Sequence, residues 1–312
     1  MRPGILLAVA VVALVLLPFG ADRGMLFLAS EILVVVALSQ AWNLLAGYGG
    51  LLSPGHHGFV GIGGYALYVL TRDLPVHPYM AIPLAGIVTA VLGFLLAPIL
   101  FRLREVYFAV GMWVAAEIFR IVVMRWDYTG GAAGLPLAAA RSLNREWMGA
   151  SAYWLALAVA LGATALVWAL MRSNFGLRLR ALKDDELAAR SIGVAPHRVR
   201  LAVFVLSVAL TGMAGAVSFL SALFITPVAA FDINWMVTIV FVTIIGGIGR
   251  ISGPFLGAAL YFVLRETLAF SSSWYLVALG ATAVLVMLVM PGGLAGALDR
   301  LLSRKSTMET QP

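Results

Sequence analysis

Long hydrophobic runs, separated by short polar stretches, dominate the chain. The runs lie at about 4–21, 25–46, 58–70, 79–101, 106–124, 150–171, 201–222, 236–248, 253–270 and 274–290. Strands of a membrane β-barrel would instead alternate polar and apolar residues over roughly ten positions. A helix needs about 20 apolar residues to cross a bilayer, and fewer where neighbouring helices bury it. The pattern therefore predicts an all-α polytopic membrane protein with about ten transmembrane helices.

The composition supports this interpretation. Of the 312 residues, 62% are hydrophobic and 11% are charged, whereas about a quarter of a soluble domain is charged. A single globule of this size cannot bury so much apolar surface, so lipid must cover the rest. The chain contains no cysteine, which excludes disulfide bonds and thiolate chemistry.

The positive charges are distributed unequally between alternate loops. If the N-terminus is cytoplasmic, 14 of the 21 lysines and arginines fall on the inner side, five on the outer side and two within spans. Because basic residues are retained in the cytoplasm, this bias predicts that both termini are cytoplasmic. The membrane domain would cover 1–296, with an external loop at 125–149, a cytoplasmic loop at 172–200 and a cytoplasmic tail at 297–312. The net charge of +7 is then an orientation signal, and we expect no nucleic-acid partner.

The N-terminus has two interpretations. Met1-Arg2-Pro3 followed by Gly4–Leu17 has the basic start and short apolar core of a signal peptide. The small residues of a cleavage site are poorly represented in the following Pro18–Ala21, so an uncleaved first helix is favoured.

Two glycine-rich stretches interrupt the hydrophobic pattern, at Gly47–Gly64 and Gly246–Gly257. Irregular backbone in a membrane is tolerated where it is buried in protein or lines a cavity, so the first stretch is predicted to be a broken or re-entrant element near a solute pathway. Glycines also allow helices to pack closely without any transport role. The candidate pathway or gate residues are Ser39, Gln40, Asn43, Gly55, His56, Glu117, Arg120, Thr129 and Gly130.

Each of these candidates has a structural alternative. Ser39, Gln40 and Asn43 form a polar patch that could simply hydrogen-bond another helix. Glu117 and Arg120 are three residues apart, so they can pair on one helical face and serve as a structural pair or a gate. Adjacent histidines point in different directions on a helix, so His56 and His57 are a weak metal site, and we predict no bound metal.

The cytoplasmic loop contains a predicted short helix at Leu182–Gly193. Asp184, Asp185 and Glu186 would occupy its first turn, where acids complement the helix dipole, and Gly193 would end it in the left-handed conformation. The apolar patch of this helix consists of Leu187, Ala188 and Ile192. Such a helix suits a cleft in a soluble partner, but it could also be an ordinary solvated loop.

This segment resembles the coupling loop of ABC importer permeases, in which a short helix sits in a groove of the ATP-hydrolysing subunit. The matching residues are Glu186, Ala188, Ala189 and Gly193, and the coupling set also includes Asp184 and Asp185. Further blocks are similar to branched-chain amino-acid permeases of the LivM type. They are Asn43–His56, Gly58–Tyr65, Tyr107–Arg120, Thr129–Leu135, Leu182–Gly193, Gly246–Gly249 and Pro291–Leu294. The chain departs from the family pattern at His57, Gly58 and Gly292-Gly293, which leaves the substrate in doubt but not the family.

The resemblance implies a permease subunit that imports branched-chain or related amino acids across the bacterial inner membrane. Its partners would be a second homologous permease, two ATPase subunits and an external substrate-binding protein. The chain lacks the Gly-x-x-x-x-Gly-Lys-Ser/Thr loop that cradles ATP, so ATP and Mg would bind the ATPase subunits and this chain would hold no cofactor.

Two other classes of function remain as alternatives. A stand-alone ion-coupled transporter or channel would need acids within the membrane, for which Glu31, Glu117 and Glu266 are candidates. An intramembrane enzyme could use His56 and His57, but no nucleophile motif accompanies them, so we expect a transport subunit and not an enzyme.

Overall fold

The computed structural model describes residues 3–74, 76–103, 106–142, 147–268, 275–290 and 292–308. Its α-helices in chain order are α1 Pro3–Leu16, α2 Arg23–Trp42, α3 His56–Asp73, α4 Pro78–Leu100, α5 Val106–Arg125, α6 Met148–Arg172, α7 Asn174–Asp184, α8 Glu186–Ser191, α9 Pro196–Ala222, α10 Pro227–Ala230, α11 Ile233–Gly247, α12 Gly253–Leu268, α13 Tyr275–Val289 and α14 Gly293–Met308. Two short strands, β1 Leu135–Pro136 and β2 Phe224–Ile225, pair antiparallel.

Each of the ten hydrophobic runs coincides with a helix, as predicted. Within the described residues, seven helical stretches are long and apolar enough to cross a membrane. The other three runs form α1, α3 and α12, of 14, 18 and 16 residues. α3 has enough residues, but it begins with two histidines and ends with Arg72 and Asp73, which lowers its hydropathy.

α9 is the central helix of the bundle and packs against α2, α3, α4 and α6. Small residues bring its backbone close to α3. A β-carbon placed on Gly63 would lie 2.1 Å from the carbonyl oxygen of Gly212, and one on Gly215 would lie 2.3 Å from that of Val60. These contacts are the close helix approach that small residues permit in membranes.

A second group of helices consists of α11, α12, α13 and α14. Two of them, α11 and α12, also contact α2.

The bundle has two distinct ends. α8 precedes α9 and β2 follows it, so the long α9 places them at opposite ends. The loop 125–149 joins the β2 end through the pairing of Leu135 with Ile225, and Arg72 at the end of α3 donates to the carbonyl of Tyr128 at 2.7 Å. The loop 172–200 therefore lies at the opposite end of the bundle from the described part of the loop 125–149.

The glycine-rich stretch Gly47–Gly64 is less irregular than predicted. It is broken only around Gly49–Gly55, after a π-helical turn at Asn43–Tyr48 that extends α2. The rest of it, from His56 onward, forms the regular helix α3.

The run 236–248 is longer in the structure than its apolar residues suggested. Asp232 caps α11 by accepting from the amide of Asn234 at 2.8 Å, so the helix begins at Ile233. Parts of some sequence predictions lie outside the described residues, namely 1–2, 75, 104–105, 143–146, 269–274, 291 and 309–312.

Candidate functional site

The loop at 172–200 contains two helices, where one was predicted. Asp184 is the last residue of α7 and does not belong to the first turn of the short helix. Asp185 is the N-cap of α8, and its carboxylate accepts from the amides of Leu187 and Ala188 at 2.8 and 3.0 Å. The prediction for Asp184 was wrong because either aspartate can cap a helix, and here Asp185 occupies that position. Gly193 ends the segment with φ of +84°, as predicted.

Glu186 fixes α8 to the start of α9. Its carboxylate accepts from Arg190 on α8 at 2.5 Å and from Arg200 on α9 at 2.7 Å. Partial burial raises the pKa of Glu186, but the hydrogen bonds from the two guanidinium groups outweigh it and hold the pKa below its ordinary value. The side chain is therefore an ionised clamp, and we call Glu186, Arg190 and Arg200 the α8 clamp.

The outer face of α8 is apolar and open. Leu187 and Ile192 have 77% and 75% of their surfaces exposed, and Ala188 lies between them and is also exposed. Ala189 faces inward and is buried, packing with the cluster that includes Val199. Of the predicted coupling residues, Ala188 therefore belongs to the exposed face, whereas Ala189 and Glu186 hold the helix in place.

Lys183, at the end of α7, connects this loop to the membrane helices. Its ammonium group donates to the carbonyl oxygen of Gly47 at 2.6 Å. Gly47 lies in the π-helical turn at the end of α2. The sequence reasoning missed this contact because the two residues are far apart in the chain.

The polar patch on α2 binds the loop between α11 and α12. The Asn43 amide nitrogen donates to the carbonyl of Arg250 at 2.9 Å, and its oxygen accepts from the amide of Gly249 at 2.7 Å. Gln40 donates to the carbonyl of Ile251 at 2.7 Å. Asn43, Gln40 and Ser39 are all fully buried. We call the contacts of Lys183, Gly47, Asn43 and the 249–251 backbone the inner junction.

His56 is buried in a hydrogen-bonded chain. Its two ring nitrogens lie 2.8 Å from the hydroxyls of Ser53 and Ser207, and Ser207 donates to the carbonyl of Ala41 at 2.6 Å. Because both ring nitrogens of His56 hydrogen-bond to hydroxyl groups, we assign this residue a structural role. Among the described residues, no group of three His, Asp or Glu side chains could hold a metal ion.

The remaining pathway candidates lie on or beside α5. Arg120 pairs with Glu117, with Nε 2.9 Å from Oε2, and the pair is half-buried. Gly55 packs against the backbone of Met112. Thr129 donates to the carbonyls of Val123 and Trp126 and closes the end of α5, and Gly130 follows with φ of +77°. The structure thus separates the candidates, since Thr129 and Gly130 lie at the end of the bundle and the Glu117–Arg120 pair within it.

The acids that an ion-coupled transporter would require are already paired. Glu31 on α2 binds the guanidinium of Arg265 on α12, with Oε2 2.9 Å from Nη2, and Glu117 binds Arg120. Glu266 lies 3.6 Å from Arg265. Arg265 therefore contacts two acids, Glu31 on α2 and the adjacent Glu266.

These observations define a class of protein. A helical bundle whose described part contains seven candidate spans is a multi-pass membrane protein, and here one end of it presents the exposed apolar face of α8. Residues 24–290 match the family described as branched-chain amino acid transport system / permease component, and the chain belongs to that family. It is therefore the permease component of an ABC importer for branched-chain amino acids or related solutes, and it is not an enzyme.

The chain is similar to several curated permeases. It is 30% identical to the high-affinity branched-chain amino acid transport system permease protein LivM of Salmonella typhimurium, with 96% of this chain and 76% of that protein aligned. It is 28% identical to LivM of Escherichia coli, over 89% and 71% of the two chains. It is also 27% identical to the autoinducer 2 import system permease protein LsrC of an Enterobacter species, over 89% and 80%. No solved structure matches the chain.

Proposed function

We propose that the exposed face of α8, formed by Leu187, Ala188 and Ile192, docks into a cleft of a cytoplasmic ATPase subunit and receives its movement. The observation that carries this proposal is an exposed apolar face on a helix that is held by a cap and by ion pairs. Two large apolar side chains project into solvent from a helix of six residues, and a helix so short is unstable without external support. The Asp185 cap and the α8 clamp provide that support, so the face is held ready for a partner.

The inner junction would carry the movement into the membrane. Lys183 ties the end of α7 to Gly47, and Asn43 ties the same turn to the 249–251 loop. A displacement of the α7–α8 loop would therefore pull on α2, α11 and α12 together. A π-helical turn suits this role because such turns are often found at functional sites.

Docking of α8 to a cytoplasmic subunit would also fix the orientation of the chain in the membrane. The end that carries α7 and α8 would be cytoplasmic and both chain termini would lie on that side, in agreement with the charge bias. The loop 125–149 and the β1–β2 pair would face the external substrate-binding protein. A second permease and two ATPase subunits would complete the importer, with ATP and Mg bound by the ATPase subunits.

The substrate would be an aliphatic amino acid, by similarity to the two LivM relatives. The similarity to LsrC widens this to other small polar solutes. An external binding protein that captures the solute would determine specificity, so the permease itself does not need a tight site.

The experiment is co-purification of the ATPase subunit with the tagged permease, together with uptake of radiolabelled leucine. Leu187→Asp combined with Ile192→Asp should abolish recovery of the ATPase while the permease remains folded and inserted. Val228→Asp is the matched control, because Val228 is a comparably exposed apolar residue in α10 at the other end of the bundle. Undiminished recovery of the ATPase with the double variant would refute the docking face. Glu186→Arg is a poorer test, since it would also break the α8 clamp.

A further inference from the structure

A polar cleft of about 300 Å³ lies beside the inner junction. Its walls come from α7, from the π-helical turn at the end of α2 and from the loop between α11 and α12. The lining contains three cations and one carboxylate, namely Arg180, Lys183, Arg250 and Asp184. These groups give the lining a net charge of +2, so the cleft favours an anion.

Two of the cations retain most of their hydrogen-bond donors for a ligand. Arg180 and Lys183 are three residues apart on α7, so they lie on the same side of that helix. Arg180 donates to the carbonyl of Met171 at 3.5 Å, which is at the limit of such a contact. Lys183 has three donors and uses one of them on the carbonyl of Gly47. Within the described residues, neither cation has a carboxylate partner.

The third cation stands on the opposite wall. Arg250 follows α11 and pairs with Asp299 on α14, so part of its charge is neutralised by a residue outside the lining. This ion pair holds the guanidinium at the edge of the cleft. Asp184 is the acid within the lining and opposes the binding of an anion there.

The cleft lies at the depth where two candidate spans end. One span ends at Tyr48 and another at Gly247, and Tyr48 and Ile248 both line the cleft. The headgroups of a bilayer lie immediately beyond its hydrocarbon core, and tyrosine is enriched at that boundary. Ile248 is 42% exposed, so the cleft has an apolar edge against which an acyl chain can lie.

From this arrangement we infer that the cleft binds the phosphate of an anionic phospholipid headgroup. Arg180 and Lys183 would donate to the phosphate from α7, and Arg250 would face it from the other wall. Hydrogen bonds from cations to phosphate are stronger than neutral ones, and basic pockets between membrane helices at the cytoplasmic surface suit such headgroups. A bound headgroup would bridge α7 and the 249–251 loop, and would therefore reinforce the inner junction.

Lipid titration of the assembled importer, followed by native mass spectrometry, tests the inference. Phosphatidylglycerol should bind roughly tenfold more tightly than phosphatidylethanolamine, whose ammonium group cancels the charge of its phosphate. Arg180→Gln should weaken the binding of phosphatidylglycerol about fivefold. Arg178→Gln is the matched control and should leave it unchanged, because Arg178 is an exposed cation of α7 outside the lining. Equal affinity of the unmodified chain and Arg180→Gln would refute the site.

Asp184 provides a test with the opposite sign. Asp184→Asn removes the opposing carboxylate, so it should strengthen the binding of phosphatidylglycerol by about two- to fivefold. If Asp184→Asn instead weakens lipid binding, and phosphatidylethanolamine binds as tightly as phosphatidylglycerol, the carboxylate receives an ammonium group. The cleft would then hold a zwitterionic lipid, and the inference would be wrong.

Two further measurements distinguish other sources of the anion. Displacement of phosphatidylglycerol by an equal concentration of inorganic phosphate would make the cleft a site for free phosphate. A lipid preference that depends on Arg180 in the isolated chain, but is absent from the assembled importer, would assign the cleft to a contact with another subunit. Because lipid binding requires neither ATP nor substrate, these outcomes are independent of the docking proposed for α8.

Discussion

The ammonium group of Lys183 donates to the carbonyl oxygen of Gly47, 136 residues earlier in the chain, at 2.6 Å. This contact links the end of α7 to the π-helical turn below α2. Because Gly47 is buried, its carbonyl would lose a charged donor if the lysine were removed. The contact joins the loop that carries the proposed docking face to the end of α2.

We predict that Lys183→Met uncouples ATP hydrolysis from transport. Methionine retains much of the length and packing of lysine but cannot donate, and a charged hydrogen bond contributes about 1.5–3 kcal/mol, equivalent to roughly tenfold or more in coupling. Leucine uptake should fall by about that factor while ATPase activity persists, with both measured in proteoliposomes. Arg178→Met, which also removes a cation from the exposed part of α7, should leave both activities unchanged. A parallel fall in hydrolysis and uptake would contradict the prediction.

Asn43 gives a second prediction, this one about stability. Asn43→Leu would leave the carbonyl of Arg250 and the amide of Gly249 without their partner, at about 1–3 kcal/mol for each unpaired buried group. The apparent melting temperature of the permease in mild detergent should therefore fall. The corresponding change at the exposed Asn234, Asn234→Leu, should cost much less. If the two variants melt at the same temperature, the amide of Asn43 does not hold the inner junction together.

The positions of the helices could be predicted from the sequence, because hydrophobic runs of this length have few alternatives in a membrane. The limits of the short elements were harder to predict. Asp184 and Asp185 are equally good capping residues, and tertiary packing decides between them. The early start of α11 has a local signal in Asp232, an N-cap residue four positions before the apolar run.

The candidate site was only partly predictable. The pairing of Glu117 with Arg120 follows from their spacing on a helix. The contacts of Lys183 with Gly47 and of Gln40 with Ile251 join segments more than a hundred residues apart, and no sequence period encodes them.

Gly55 provides a prediction about close packing. A β-carbon at this position would lie 2.0 Å from the carbonyl oxygen of Met112, so Gly55→Ala must push α3 and α5 apart. Overpacking of this kind costs roughly 1–3 kcal/mol, which should appear as a lower melting temperature and reduced uptake.

Gly162→Ala is the control for Gly55. Nothing lies within 4 Å of the corresponding β-carbon in α6, and alanine is favoured over glycine within a helix by roughly 0.5–1 kcal/mol. This variant should therefore melt at the same temperature as the unmodified chain or slightly higher. A destabilised Gly162→Ala, or an unaffected Gly55→Ala, would show that the contact between α3 and α5 is looser than the structure indicates.

The α8 clamp leads to a prediction about pH. The pKa of Glu186 is lower in the folded protein than the ordinary value of 4.5, because the hydrogen bonds from Arg190 and Arg200 outweigh the opposing effect of burial. A depressed carboxylate pKa stabilises the fold fully above the unfolded pKa, and this stabilisation is lost as the pH falls through the folded pKa. The loss therefore begins near pH 4.5 and is complete below the folded pKa. With a third of the Glu186 side chain exposed, the clamp should contribute no more than about 1 kcal/mol.

Hydrogen exchange of the α8 amides, corrected for the intrinsic dependence of exchange on pH, measures this contribution. In the unmodified chain, protection of Ala189 and Arg190 should decrease as the pH is lowered below 4.5. Glu186→Gln should show reduced protection at neutral pH and little further change on acidification, because the amide cannot ionise. Asp184→Asn changes an exposed acid outside the clamp and should keep the pH dependence of the unmodified chain. If Glu186→Gln retains that dependence instead, another group holds α8 in place, and the rigidity of the docking face does not come from Glu186.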